Sequence, residues 1–242
     1  LAGTGGDKPP IFHTEDVSQA ERLCEAALLL PDRNAAIRFL AETMPSIESP
    51  LSGISNEGLL SMHELNYGTR LRDDWKTATE KSIKILGKSR KDLITALGFN
   101  FQKLDNMTEI LLSGDEKTAL AVLLNDSEVP ELSNDRFNNT SPVSYALAKA
   151  DNEKLPWVVM VQGDRIRIYN TKNIGVGRRG RTETYIECQS SILSQKDAGL
   201  LWLLFSSDAL KDGGTIDDLL EESQRFAADI ADTLRERIYD IV

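Results

Sequence analysis

From Val17 to Leu30 apolar residues recur at Leu23, Ala26, Ala27 and Leu30, and after a break at Pro31 they continue through Ile37, Leu40 and Ala41 to Pro45. Positions three and four apart share a helix face, so this spacing predicts a helical hairpin. Ser55 or Asn56 caps a further helix through Leu59, Leu60, Met62 and Leu65 to Gly68. Asp73 or Asp74 precedes another with Trp75, Ala78, Ile83 and Leu86, which Gly87 ends. Ser89 with Asp92 reads as a capping box for a short helix that stops at Gly98. Residues 17–98 are thus expected to be all-helical, behind a Gly/Pro-rich loose arm over residues 1–16.

After residue 98 the period changes. MTEILL and TALAVLL flank the turn-like SGDEK and read as a hairpin, although their alanine and leucine content suits a helix as well. PVSYALAKAD is a helix with Ser141 as cap and Pro142 at its first position. In PWVVMVQGDRIRIYN two runs of β-branched and aromatic residues are joined by Gly163-Asp164, the composition of a tight hairpin, and TETYIECQ is a further strand. Ser194 with Asp197 starts SQKDAGLLWLLFSSDAL, apolar nearly all round and hence a buried helix. Thr215 caps a last helix whose stripe runs through Leu219, Phe226, Ile230, Leu234 and Ile238. The pattern is α+β, with a helical subdomain over residues 17–98, a small mixed sheet flanked by helices over 99–193, and C-terminal helices over 194–242. The chain starts at Leu1 and is still helical in period at Val242. A piece of a longer protein is therefore expected, with the last helices leading into a downstream domain.

Composition narrows the chemistry. The 242 residues are 40% hydrophobic, enough for a substantial core, and the formal net charge of -10 makes the surface as a whole repel phosphate. Any nucleic-acid contact must come from a local basic patch. Cys24 and Cys188 lie far apart with no C-x-x-C spacing, which suggests neither a disulfide framework nor a zinc site and makes a reducing cytoplasm the expected location. No apolar run approaches the roughly 18 residues that a membrane span needs, so no membrane partner is expected. His13 and His63 have no second ligand at metal spacing, and Trp75, Trp157 and Trp202 sit in periodic apolar contexts, as core residues do.

GVGRRG, residues 175–180, matches the dinucleotide fingerprint G-x-G-x-x-G. That fingerprint works only where a strand leads into a helix whose amides hold a pyrophosphate. Strand patterns flank this one on both sides, so no nucleotide cofactor is expected there. Arg178, Arg179 and Arg181 alternate with glycines that let a bulky anion approach the backbone, and Lys172 precedes them. Two readings follow: guanidinium groups that fork onto DNA phosphates, or a solvated hairpin whose arginines pair with nearby carboxylates such as Glu183 and Glu187. For catalysis, metal-dependent nucleases gather acids at the ends of a short sheet to hold magnesium. Glu109, Asp126 and Glu128 form one candidate set, and Glu187 with Gln189, an acid-x-Gln variant, forms another.

Taken in order, NEGLLSMHELNYG, SPVSYALAKAD, LPWVVMVQGDRIRIY, GVGRRGRTETYIE, LLWLLFSSDAL and RFAADIADTLRERIYDIV resemble the N-terminal region of large bacterial adenine-specific DNA methyltransferases, over most of the chain from about residue 55. Such proteins belong to type IIG restriction-modification enzymes and phage-defence systems such as DISARM and BREX. The resemblance implies a nuclease-like sheet of the PD-(D/E)XK type, with metal acids near 109 and 126–128. Here the acid-x-Lys signature is missing, which implies a degenerate nuclease fold kept for holding DNA. It also implies that S-adenosylmethionine chemistry belongs to a region beyond Val242, since no N-P-P-Y or D-P-P-Y motif occurs. The expected role is a non-catalytic module that positions double-stranded DNA for the downstream methyltransferase domain. The alternatives are a magnesium-dependent endonuclease domain and an interaction module that docks other defence-system subunits.

Overall fold

The computed structural model describes residues 17–33, 35–40, 51–172, 174–176 and 179–239. The architecture is α+β, a seven-stranded mixed sheet flanked by helices. The strands are β1 (Ile54–Glu57), β2 (Asn100–Lys103), β3 (Thr108–Ser113), β4 (Glu116–Leu123), β5 (Trp157–Gln162), β6 (Arg165–Asn170) and β7 (Tyr185–Gln189). Their order across the sheet is β1-β7-β6-β5-β4-β3-β2. Only β4 and β5 run parallel. A parallel pair needs a crossover, and α4 (Pro142–Glu153) supplies it. The other principal helices are α1 (Val17–Leu28), α2 (Trp75–Ile83), α3 (Arg90–Ala96), α5 (Gly199–Phe205) and α6 (Thr215–Tyr239).

Because strand side chains alternate, the sheet builds two cores. On one face Leu120, Val122, Val158, Met160 and Tyr169 meet Val143, Ala146, Leu147 and Ala150 of α4. On the other, Ala121, Val159, Ile166, Ile168 and Ile186 meet Leu93 and Ile94 of α3, Leu200, Leu201, Leu204 and Phe205 of α5, and the start of α6. This second core draws on residues from Leu51 to Leu97 as well as on the strands, so the N-terminal helices and the sheet share one interior. Trp157 is buried within it, and Trp75 and Trp202 pack against it.

Three local expectations resolve differently. Ile54–Glu57, inside the stretch read as helical, is an edge strand paired with β7 from Ile54↔Cys188 to Glu57↔Tyr185. Asn56 keeps a cap-like bond, its Oδ1 accepting from the Leu60 amide at 3.2 Å, but long-range pairing overrides the helix. The last strand begins at Tyr185 and not at Thr182, because the Glu183 amide and the Thr184 hydroxyl both donate to Gly180 O and close a turn. The helix over 194–210 breaks at Ser206, whose Oγ caps a new short helix by accepting from the Ala209 amide at 3.2 Å. The 107–124 segment, open between hairpin and helix, is the antiparallel pair β3–β4.

Other local expectations are met. The β5–β6 turn is Gly163-Asp164, with Gly163 at φ 57, and Ser141 caps α4 ahead of Pro142.

Asp105 ties the β2–β3 turn to α4. Its Oδ1 accepts from the amides of Met107 and Thr108, both at 2.8 Å, and Lys149 Nζ lies 2.9 Å from its Oδ2. Burial works against the charged form, but Lys149 and the turn donors outweigh it and hold the carboxyl well below the usual carboxylate range. A depressed folded value gives stability that is present above the unfolded pKa of about 3.9 and is lost as pH falls toward the folded one. Asp105→Asn is therefore expected to flatten the drop in melting temperature below about pH 4, measured as melting temperature against pH.

Candidate nucleic-acid interface

The glycine-arginine loop joins β6 directly to β7, its antiparallel neighbour, with no helix after it. At its start the Thr171 amide donates to Pro156 O at 3.0 Å and the Lys172 amide to Asn170 Oδ1 at 2.7 Å. Further on, the Val176 amide donates to Gly58 O at 3.0 Å, which pins the loop to the end of β1. Gly175 is required there, because an added Cβ would lie 2.6 Å from Gly58 O, a backbone atom that cannot swing away. Around Gly180 no atom lies within 4 Å of such a Cβ. Gly175→Ala is accordingly expected to lower stability by about 1–3 kcal/mol, while Gly180→Ala leaves it unchanged, as read by urea denaturation.

Arg178 lies outside the described residues. Arg179 pairs with Glu57 on β1. Arg181 reaches Asp151 of α4 at 2.8 Å and donates to Thr171 O at 3.1 Å. The carboxylates that hold these two arginines are therefore Glu57 and Asp151, and not Glu183 or Glu187. Both arginines stay open to solvent, Arg179 at 56% and Arg181 at 38% of their side-chain surface. Exposed pairs of this kind contribute only about 0–1 kcal/mol, so a phosphate can take the place of either carboxylate at little cost.

Beside this loop is a groove of about 490 Å³ that the sequence does not announce. Lys172 lines it together with Lys117 from the start of β4 and Lys154 from the C-terminus of α4. Lys154 takes a left-handed backbone, φ 56, as α4 ends. All three lysines are exposed, and none forms an ion pair among the described residues. The groove's acids are Glu116, Asp151 and Asp212, of which Asp151 is already engaged by Arg181. In an acidic protein, three ammonium groups with no ion pair among the described residues, Glu116, Asp212 and Asp217 being near but not bonded to them, stand beside two exchangeable guanidinium groups and can turn to an anion.

The candidate nuclease acids do not converge. Glu109 bonds Lys91 at 2.6 Å, and its other oxygen is buried without a partner. Asp126, 80% exposed, pairs with Arg90 at 2.7 Å. Glu128 turns inward, accepting from Arg136 at 2.6 Å, from the Asn125 amide at 2.7 Å and from Asn134 at 3.3 Å. Glu187 bonds Arg167 Nε at 2.8 Å, while Gln189 is buried with its Nε2 unbonded. Among the described residues no three His, Cys, Asp or Glu side chains form a group that could hold a metal ion. Each of the four acids already faces a cation, so these residues do not fit a magnesium site.

Sequence reasoning also missed the Arg167 cluster. Arg167 is held by Glu187, Glu131 and the Tyr169 hydroxyl and lies over the Tyr185 ring at 4.0 Å. Burial disfavours its charge, yet Glu187 and Tyr169 raise its pKa above the ordinary arginine value. Burial also pushes the Tyr169 hydroxyl up. His63 stacks on Phe226 at 4.2 Å, and Cys24 and Cys188 are free thiols. No helix among the described residues is long and apolar enough to cross a membrane.

No protein-family model, curated protein or solved structure matches this chain.

Proposed function

We propose that this chain is a non-catalytic module that binds double-stranded DNA and positions it for an adenine methyltransferase domain of a restriction-modification or phage-defence protein, acting in the cytoplasm. The observation that carries the reading is the meeting of Lys117, Lys154 and Lys172, from three separate elements, beside Arg181. The degenerate PD-(D/E)XK-like scaffold finds support in the register of β3 and β4. Glu109 stands opposite Ala121, and Leu123 follows two positions later, so at these two positions the strand beside the acid offers neither a second acid nor a lysine. No cleavage step is derived.

Phosphate contacts carry no base information, so duplexes of unrelated sequence are expected to bind with similar affinity. Five cations engaged, Lys117, Lys154, Lys172, Arg179 and Arg181, give a slope of log K against log salt of about -4.5. Fluorescence anisotropy over a salt series tests this, and a slope near zero would rule the reading out.

A second reading rests on α6. Its apolar residues Ile216, Leu219 and Leu220 are buried, but Ile230 farther along is exposed. The side chains of Leu234 and Ile238 lie outside the described residues. If α6 docks a partner subunit, Ile230→Glu lowers association in sedimentation experiments without moving the melting temperature.

A further inference from the structure

We infer that a second groove, at the opposite end of β6 from the lysines, binds a nucleoside phosphate. It lies where β4 and β5, the parallel pair, end at their carboxyl sides, between the β5–β6 turn and the helical segments of residues 17–33 and 35–40. Crevices outside the carboxyl ends of parallel strands are where open α/β sheets hold ligands. Its volume, about 830 Å³, falls in the range of small-molecule sites.

The two walls differ in chemistry. One is apolar, formed by Ala26, Leu29, Leu30, Pro31 and Phe39, with Leu29 86% exposed. The other presents guanidinium groups from Arg90 and Arg165, and Arg22 of α1 and Arg38 join them from the helical side. Arg22 is fixed by donating to the carbonyls of Ser191, at 3.3 Å, and Leu193.

Arg90 has a left-handed backbone, φ 52, a conformation that costs a non-glycine residue free energy and persists only where its surroundings hold it. Here the Arg90 amide donates to Gly163 O at 2.7 Å, so the β5–β6 turn keeps the guanidinium at the groove. Three carboxylates line the groove, and two are engaged. Asp164 accepts from the Ser191 amide and hydroxyl, and Asp126 from Arg90 in a pair exposed enough to exchange for phosphate. Glu25 is the third.

A bare anion would use the arginines and leave the apolar wall wet, and a neutral apolar molecule would do the reverse. A phosphate ester with a flat apolar body satisfies both walls. A nucleoside phosphate is the ester of matching size.

Thermal shift and calorimetry with ATP, tripolyphosphate and adenosine test the inference. ATP is expected to raise the melting temperature by several degrees, with tripolyphosphate and adenosine giving markedly less. Arg38→Glu, a change at an exposed position, is expected to weaken ATP binding at least tenfold, and Leu29→Asp to do so from the apolar wall. Lys154→Glu, in the other groove, is expected to leave ATP binding intact. An equal response to tripolyphosphate, an ATP response that survives both groove changes, loss of the response in Lys154→Glu, or no response to ATP would each overturn it. None of these outcomes depends on duplex binding.

Discussion

Replacing Lys117, Lys154 and Lys172 together by glutamate is expected to weaken duplex DNA binding by two orders of magnitude or more at low salt and to reduce the magnitude of the salt slope by about 3. Each phosphate contact releases close to one counterion, and removal of three cations removes three such releases. Reversing the charge adds repulsion where the groove already carries Glu116 and Asp212. The three side chains are exposed and unpaired among the described residues, so the fold should survive and the melting temperature should change little. Anisotropy at three salt concentrations, with circular dichroism as the control for folding, reads both effects. Single changes are expected to cost about one unit of slope each. Loss of affinity for one sequence but not for others would place base recognition at the groove and defeat the phosphate reading. Arg179→Ala and Arg181→Ala should act less strongly, because each guanidinium must give up its present carboxylate, Glu57 or Asp151, to meet a phosphate.

The second large effect is on stability. Glu128→Ala is expected to cost about 3 kcal/mol, measured by urea denaturation. The carboxylate is only 5% exposed and accepts from Arg136, Asn134 and the Asn125 amide, which ties the loop after β4 to the turn that leads into α4. Truncation strands the amide and leaves the guanidinium with the Leu123 carbonyl at 3.0 Å and the face of the Phe137 ring at 4.9 Å, but no carboxylate. Glu128→Gln, which keeps an acceptor, should cost less than Glu128→Ala. Asp126→Ala, two residues away in sequence, should be close to neutral, since that side chain stands in solvent. Equal costs at 126 and 128 would show that the network does not hold the loop.

The contrast between Asp126 and Glu128 explains much of what could be read in advance. Their proximity in sequence suggested a common site, but one faces Arg90 and the other Arg136. Nothing in NDSE encodes that divergence, because the partners arrive from α3 on one side and from the loop before α4 on the other. The β5–β6 hairpin and the start of α4 were legible because their signals are local: Gly163-Asp164 between β-branched runs, and Ser141 ahead of Pro142. β1 was not, since four residues give no periodicity and its partner is β7. The lysine groove was half legible. Lys172 and Arg181 belong to a visible basic cluster, whereas Lys117 and Lys154 sit among mixed charges. They meet Lys172 only because β4, α4 and β5 form a parallel crossover.

β1 also has a kinetic meaning. Among the described strands it pairs with one neighbour, and that neighbour is formed from the far half of the chain, so the strand is expected to be among the last parts to arrive during folding and the first to detach in native fluctuations. Glu57 and Gly58, which hold Arg179 and Val176, travel with it. Hydrogen exchange should therefore show Asn56, Glu57 and Val176 opening as one cooperative unit, so that each departure of the strand sets the arginine loop loose.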